Sequence, residues 1–279
     1  MRASTDHYGA AYGDFDSDLQ KRIRAEAYGE DYGQNGWQTA DEQELFIAHL
    51  RLDAESRLLD VACGSGGPTL RIVRRTGSRA HGVDAHEQAI AEARARSERE
   101  GLAGRVAFDR LDASRPLPFP DASFDGAICI DAINHLPDRP RILAEWARVL
   151  RPGGRLVFTD PTVVTGMVTH EELAIRSSIG FFLFSPPGVN DRLLEAAGFE
   201  CGPPLDRTEN MARMADRRRQ ARAAHEADLR RIEGDATYEA QQRFFETAAR
   251  LAADRRLSRF TFMATKTSQT ASPRPASPR

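Results

Sequence analysis

Apolar residues through the middle of the chain come in short runs separated by longer stretches of helical period. The run at 57–62, with Leu58, Leu59 and Val61, stops at glycines and predicts a strand. Leu70, Ile72 and Val73 then mark a helix, residues 79–84 a second strand, and 86–100, with alanines and charges at helical spacing, a second helix. Strands follow at 105–109 and 124–130. At 139–150, Ile142, Leu143, Trp146 and Val149 share one helical face; Pro152-Gly153-Gly154 supplies the stop, and 155–159 predicts a fifth strand. This alternation implies an α/β fold, a mostly parallel sheet with helices on both faces.

Beyond residue 160 the pattern loosens. Residues 170–179 predict a helix, and Phe181, Phe182 and Phe184 form a dense apolar run ended by Pro186-Pro187-Gly188. A short helix at 191–197 closes on Gly198, and 209–255, rich in Ala, Arg and Glu, predicts two helices broken near Gly234. Residues 259–264 alternate like a closing edge strand, and 268–279, polar with three prolines, read as a disordered tail. Near the N-terminus, 28–37 sets glycines beside aromatic rings, a composition that suits a shaped loop or lid. The chain divides on this reading into an N-terminal helix and lid (1–48), a core (49–160), a helical cap with the remaining core helix and strand (161–256), a closing strand (257–267) and the tail.

With 39 Lys and Arg against 41 Asp and Glu, the net charge of −2 argues against a surface built to coat nucleic acid. The arginines of 213–222, including Arg217-Arg218-Arg219, precede Glu226, Asp228 and Glu233 and read as a solvated helix face. No apolar run approaches the ~20 residues of a membrane span, and the first residues carry no secretory h-region. Cys63, Cys129 and Cys201 are odd in number and far apart, which fits a reducing cytoplasm. His170 and His225 lack metal-ligand spacing, and no metal site is expected.

The candidate chemistry starts at 58–69. A strand runs into Gly64-Ser65-Gly66-Gly67 and then a helix opened by Pro68. Glycines admit a ligand to the backbone, and the free N–H groups of a helix start suit a carboxylate or phosphate. Asp60, at the mouth of the turn, would instead attract an amino group, unlike a nucleotide phosphate cradle. Asp84 and Asp112 each end a predicted strand, on the edge where open α/β sheets bind ligands. Asp84 lies 18 residues past Gly66, near the spacing at which an acid grips ribose hydroxyls.

These motifs, in this order, resemble the class I S-adenosylmethionine-dependent methyltransferases: 60–66, Gly82-Val83-Asp84, Leu111-Asp112, 118–130 and Leu150-Arg151-Pro152-Gly153-Gly154. The resemblance spans about 41–160, with Ala62 at the family's first loop glycine. It implies a Rossmann-like, seven-stranded, mostly parallel sheet and S-adenosyl-L-methionine as cofactor. It also implies Asp60, Ala62, Gly64 and Gly66 near the methionine part, Asp84 and Ala85 at the ribose, and Asp112 and Ala113 at the adenine. Tyr32 and Ile130 complete the expected cofactor set.

A second set, Gly29-Glu30-Asp31-Tyr32, Asp131-Ala132-Ile133-Asn134-His135 and Phe262-Met263-Ala264-Thr265-Lys266, is similar to phosphoethanolamine N-methyltransferases and the related glycine-betaine-forming sarcosine and dimethylglycine enzymes. In the former an Asp and a His four residues apart face the substrate, which Asp131 and His135 match. Arg24 stands where that family has a partner tyrosine, and the phosphate-holding Tyr/Arg cluster has no match, so a less charged, more apolar acceptor is expected. His135 is the candidate base and Asp131 its orienter or a holder of a substrate cation. Tyr28, Tyr32 and Trp37 are candidates to close over the sulfonium by cation–π attraction. The expected activity is methyl transfer to an amine nitrogen or hydroxyl of a small molecule, with nitrogen ahead on the second resemblance alone. A non-catalytic S-adenosylmethionine-binding scaffold, a nicotinamide-dependent oxidoreductase and an RNA or protein methyltransferase are the alternatives.

Overall fold

A computed structural model describes residues 12–268. Helices α1 (Asp18–Tyr28) and α2 (Ala40–Leu50) precede the core. There β1 (Arg57–Val61), α3 (Gly67–Thr76), β2 (Arg79–Asp84), α4 (Glu87–Arg99), β3 (Val106–Arg110), β4 (Phe124–Cys129), α5 (Arg139–Val149) and β5 (Leu150–Val164) alternate as the pattern predicts. Then come α6 (His170–Arg176), α7 (Val189–Ala196), β6 (Phe199–Cys201), β7 (Leu205–Asp206), α8 (Thr208–Ala224), α9 (Glu226–Glu233), α10 (Asp235–Ala253) and β8 (Leu257–Lys266). The sheet runs β3-β2-β1-β4-β5-β8-β6, with the two-residue β7 added beside β8. Strands β1 to β5 pair in parallel, and β8 runs antiparallel to β5.

Pleating sends successive strand residues to opposite faces. Leu58, Ile128 and Val157 pack with Phe46, Ile72, Ile90 and Phe108 on one side. Leu59, Cys129 and Phe158 pack with Trp146, Ile142 and Leu194 on the other. A parallel sheet covered on both faces reads as continuous apolar runs, which is why its strands stand out in the sequence.

Four details differ from expectation. Strand β8 is no edge: it lies between β5 and β6, and its Phe262 ring stacks on Phe158 at 4.7 Å. Helix α5 ends at Val149; Pro152-Gly153-Gly154 instead forms a bulge within β5, with Gly153 at φ 76°. The stretch 209–255 holds three helices, because the chain breaks at His225 as well as at Gly234, and the His225 ring is anchored to Glu26 at 2.9 Å. The helix expected over 170–179 stops at Arg176. The tail from 269 onward lies outside the described residues. Helices α1, α8, α9 and α10 form a second core with Tyr28 and Trp37, around Met211, Met214, Leu229, Phe244 and Phe245.

Candidate active site

The strand ends and the second core line one cavity of about 1180 Å³. A single drug-sized ligand occupies a pocket of ~300–1000 Å³, so this space suits two ligands side by side. Asp60, Asp84 and Asp112 all line it, as do Ala62, Gly64, Ala85, Ala113, Ile130, Asp131 and His135.

The turn after β1 is shaped by backbone sign. Ala62 (φ 59°), Gly64 (φ 54°) and Gly66 (φ 74°) are all left-handed, so Ala62 takes the conformation that a glycine adopts freely. A Cβ on Gly64 would lie 2.5 Å from the Tyr12 hydroxyl, so that ring sits directly above the loop. Gly66 does not line the cavity: a Cβ there would meet the Phe108 ring at 2.7 Å and Ala93 at 3.0 Å, so it serves turn geometry and packing. Tyr32 also turns away; its ring lies under the Arg71 guanidinium at 5.2 Å. These two residues of the expected cofactor set shape the site from behind.

Asp60 is buried, and Thr69 Oγ1 donates to its Oδ2 at 2.5 Å. Burial, with Asp84 nearby, pushes its carboxyl up to about 7. Asp84 Oδ2 accepts from the Gly64 N–H at 2.9 Å, and its Oδ1 accepts from the His86 N–H at 2.9 Å and meets the His86 ring at 3.0 Å. Asp112 is exposed, and the hydrogen bond from the Ser114 hydroxyl holds its carboxyl below the ordinary value. Arg24, absent from the expected set except as a departure, also lines the cavity. It is buried, pairs with Asp31 at 3.0 Å, and its Nη2 has no hydrogen-bond partner among the described residues.

His135 ends a 3₁₀ turn over Ile133–His135. Its Nδ1 lies 2.8 Å from the Phe181 carbonyl, which can only accept, so Nδ1 carries the hydrogen. Nε2 is then an acceptor, consistent with the Asn134 amide at 3.2 Å. Burial lowers the histidine's pKa, so the ring is neutral near pH 7. Asp131 sits at φ 53° with its carboxylate engaged: Arg259 donates at 2.6 Å, the Thr159 hydroxyl at 2.7 Å and the Trp37 N–H at 2.6 Å. It pins the lid to the core.

The far end of the cavity holds what sequence reasoning missed. Arg176, Arg218 and Arg222 line it among Tyr28, Trp37, Phe182, Phe244 and Phe245. The guanidinium of Arg176 lies over Phe244 at 4.4 Å and that of Arg218 over Phe245 at 4.6 Å. Both lie within 6 Å of the Trp37 ring centre. The expected cation–π partner of Trp37 is therefore matched by the protein's own arginines. Arg218 and Arg222, four apart on α8, share one inward face, so two of the five arginines in the supposed solvated run point inside.

Residues 59–158 match the family model described as a methyltransferase domain. The chain is 40% identical over 142 residues to methyltransferase GfsG of Streptomyces halstedii, covering 51% of this chain and 50% of that protein. It is 40% identical over 111 residues to the 27-O-demethylrifamycin SV methyltransferase of Amycolatopsis mediterranei, covering 40% of each. The chain spans about half the length of the curated relatives it matches. Among solved structures, phosphoethanolamine N-methyltransferase 2 of Haemonchus contortus superposes with a TM-score of 0.77 at 18% identity, over 96% of this chain and 61% of that one. Residues 59–158 thus carry a methyltransferase domain, set in the fold of the class I S-adenosylmethionine-dependent methyltransferases.

Proposed function

We propose that this protein transfers a methyl group from S-adenosylmethionine to a hydroxyl oxygen of a small, largely apolar metabolite. The observation that carries the reading is the set Asp60, Asp84 and Asp112, at successive strand ends, sharing one two-ligand cavity with a neutral His135.

The residues fit the cofactor. A carboxyl held near 7 by burial gains most from a cation, which matches an α-ammonium at Asp60. The Nη2 of Arg24, without a partner among the described residues, suits the α-carboxylate. Asp84 keeps lone pairs for ribose hydroxyls, and Asp112 with Ala113 borders the adenine position. S-adenosylmethionine supplies an electrophilic methyl when bound. The protein aligns the acceptor oxygen, excludes water with the lid and cap, and takes the acceptor's hydroxyl proton on His135 Nε2, in place of the hydrogen bond that the Asn134 amide makes there. Asp131 acts as a positioning residue through Trp37 and Arg259.

The arginines favour oxygen over nitrogen, because an ammonium acceptor would meet like charge at that end. The relative named for a 27-O-demethylated substrate agrees. A small acceptor also suits a cavity between lid and cap better than nucleic acid does, and the free cysteines suit a reducing compartment such as the cytoplasm. Calorimetry tests the reading: S-adenosylmethionine and S-adenosylhomocysteine should bind at one site per chain and NADH should not. Labelled methyl donor with a panel of hydroxylated polyketides and phenols should then mark an oxygen. Absence of S-adenosylmethionine binding sinks the proposal.

A further inference from the structure

Five asparagine and glutamine side chains are buried among the described residues, and they divide by what their amides touch. Gln34 accepts from the Tyr32 N–H at 2.9 Å and donates to the Glu30 carbonyl at 2.8 Å. Gln43 donates to the Pro68 carbonyl at 2.9 Å and accepts from Arg71 at 3.2 Å. Asn190 accepts from Arg139 at 2.9 Å and donates to Asp160 at 2.8 Å. Each of these three uses both ends of its amide to hold the fold. Gln38, 1% exposed, has a hydrogen-bond partner among the described residues on neither Nε2 nor Oε1, and Asn134, fully buried, has none on Oδ1. Both of these exceptions line the cavity, Gln38 next to Trp37 and Asn134 next to His135.

The backbone on either side of them is fixed. Gln38 lies between Trp37 and Thr39, the N-cap of α2. The Trp37 N–H is held by Asp131 at 2.6 Å, and its carbonyl accepts from Asn210 at 3.1 Å. Asn134 is the middle residue of the 3₁₀ turn; its carbonyl accepts from the Leu183 N–H at 2.8 Å, and its Nδ2 lies 3.2 Å from His135 Nε2. Leaving a buried amide atom unpaired costs more than a paired one contributes, so three such atoms on one cavity mark where a ligand's polar atoms belong. An anion needs donors alone and a cation acceptors alone. Two carbonyl oxygens with one NH₂ group suit neutral groups that both give and take a hydrogen, as hydroxyls do. Asn134 also sets the spacing. Its Oδ1 belongs to the amide whose Nδ2 reaches the base, so a hydroxyl given to Oδ1 stands one carbon along from a hydroxyl given to Nε2.

We infer that the methyl acceptor is a vicinal diol on an apolar body: His135 takes the hydroxyl that is methylated, and Gln38 with Asn134 holds its neighbour. The choice of the reacting hydroxyl rests on the methyl-transfer reading, but the diol site does not.

The test is calorimetry, with and without S-adenosylhomocysteine, on 2,3-dihydroxynaphthalene, 2-naphthol and 2,7-dihydroxynaphthalene, whose hydroxyls are not neighbours. The vicinal diol should bind about tenfold tighter than either, because a site built to pair a hydroxyl rejects a ligand that lacks it. In Gln38→Met and in Asn134→Leu that preference should fall below about threefold, with S-adenosylhomocysteine affinity within about threefold of the wild type. Gln38→Met should melt no lower than the wild type, since it removes an unpaired buried group. Equal affinity for the three compounds, no binding of the diol at millimolar concentration, or a preference that survives both variants overturns the inference. So does a lower Tm in Gln38→Met, which would make that amide structural. A loss of about tenfold in S-adenosylhomocysteine affinity would assign the amides to the cofactor and overturn it too. If Asn134→Leu does not fold, Gln38→Met and the wild type still decide. Diol preference without S-adenosylhomocysteine binding would keep this site and remove the methyl-transfer reading; the reverse would do the opposite.

Discussion

Asp60 carries the sharpest consequence at the scale of one residue. Its folded value, about 7, lies above the ordinary 3.8, so between those values the folded chain holds a proton that the unfolded chain lacks. Its contribution to stability is therefore present at low pH and lost as pH climbs through 7. A cationic ligand needs the ionised form, so S-adenosylmethionine affinity should rise as pH passes about 7, with a proton released on binding. Asp60→Asn should weaken binding by roughly 10–150-fold, the value of a charge-assisted hydrogen bond, and abolish that pH step. Calorimetry in two buffers of different ionisation enthalpy checks both. His135 belongs to a different window. Its lowered value puts the acid limb of kcat below the ordinary 6.5 once the cofactor is saturating. His135→Gln should cut kcat by about 10²–10⁴ and erase that limb, while leaving cofactor affinity unchanged.

At the scale of elements, the strand-end acids were legible because everything that places them is local. A period-two apolar run, a glycine turn and a helix start fix Asp60, and the next strands fix Asp84 and Asp112. The acceptor end was not legible, because its arginines come from α6 and α8, about forty residues apart in the chain. An inward helix face announces itself only when it is apolar, whereas arginine buries its stem and looks solvated in sequence. Arg217 and Arg218 are adjacent, yet Arg217 reaches the Glu26 carbonyl while Arg218 lines the cavity. The link between loop and lid was equally hidden. A Cβ on Gly67, at the start of α3, would lie 2.2 Å from the Tyr32 carbonyl and 2.5 Å from that of Gly33. Backbone cannot swing aside as a side chain can. Gly67→Ala should therefore push the lid off the cofactor loop, cost about 1–3 kcal/mol in stability and weaken S-adenosylmethionine binding. Denaturant unfolding and calorimetry measure the two effects separately.

At the scale of the whole molecule, one cation ties the cofactor core to the lid. Arg259 on β8 is fully buried, and its guanidinium bonds Glu42 of α2 at 2.7 Å and Asp131 past β4 at 2.6 Å. Thr261 adds a bond to Glu42 at 3.1 Å, and Asp131 in turn holds the Trp37 N–H. Central placement of β8 matters here: an edge strand would leave this arginine in water, where an ion pair is worth little. Buried, it pairs with two carboxylates at once. Arg259→Met would leave both without their cation, and losing one partner of a buried pair costs about 3–5 kcal/mol. For a chain of this size that predicts a fall in Tm of roughly 10 °C, at about 2–4 °C per kcal/mol. The triple variant Arg259→Met with Glu42→Gln and Asp131→Asn removes the uncompensated charges and should recover most of that loss. Its lid would still lack the carboxylate that grips Trp37, so acceptor binding should stay weak while Tm returns. Recovery of both together would show that Arg259 serves stability alone; recovery of Tm without binding is the outcome expected of a bridge that sets the lid on the site.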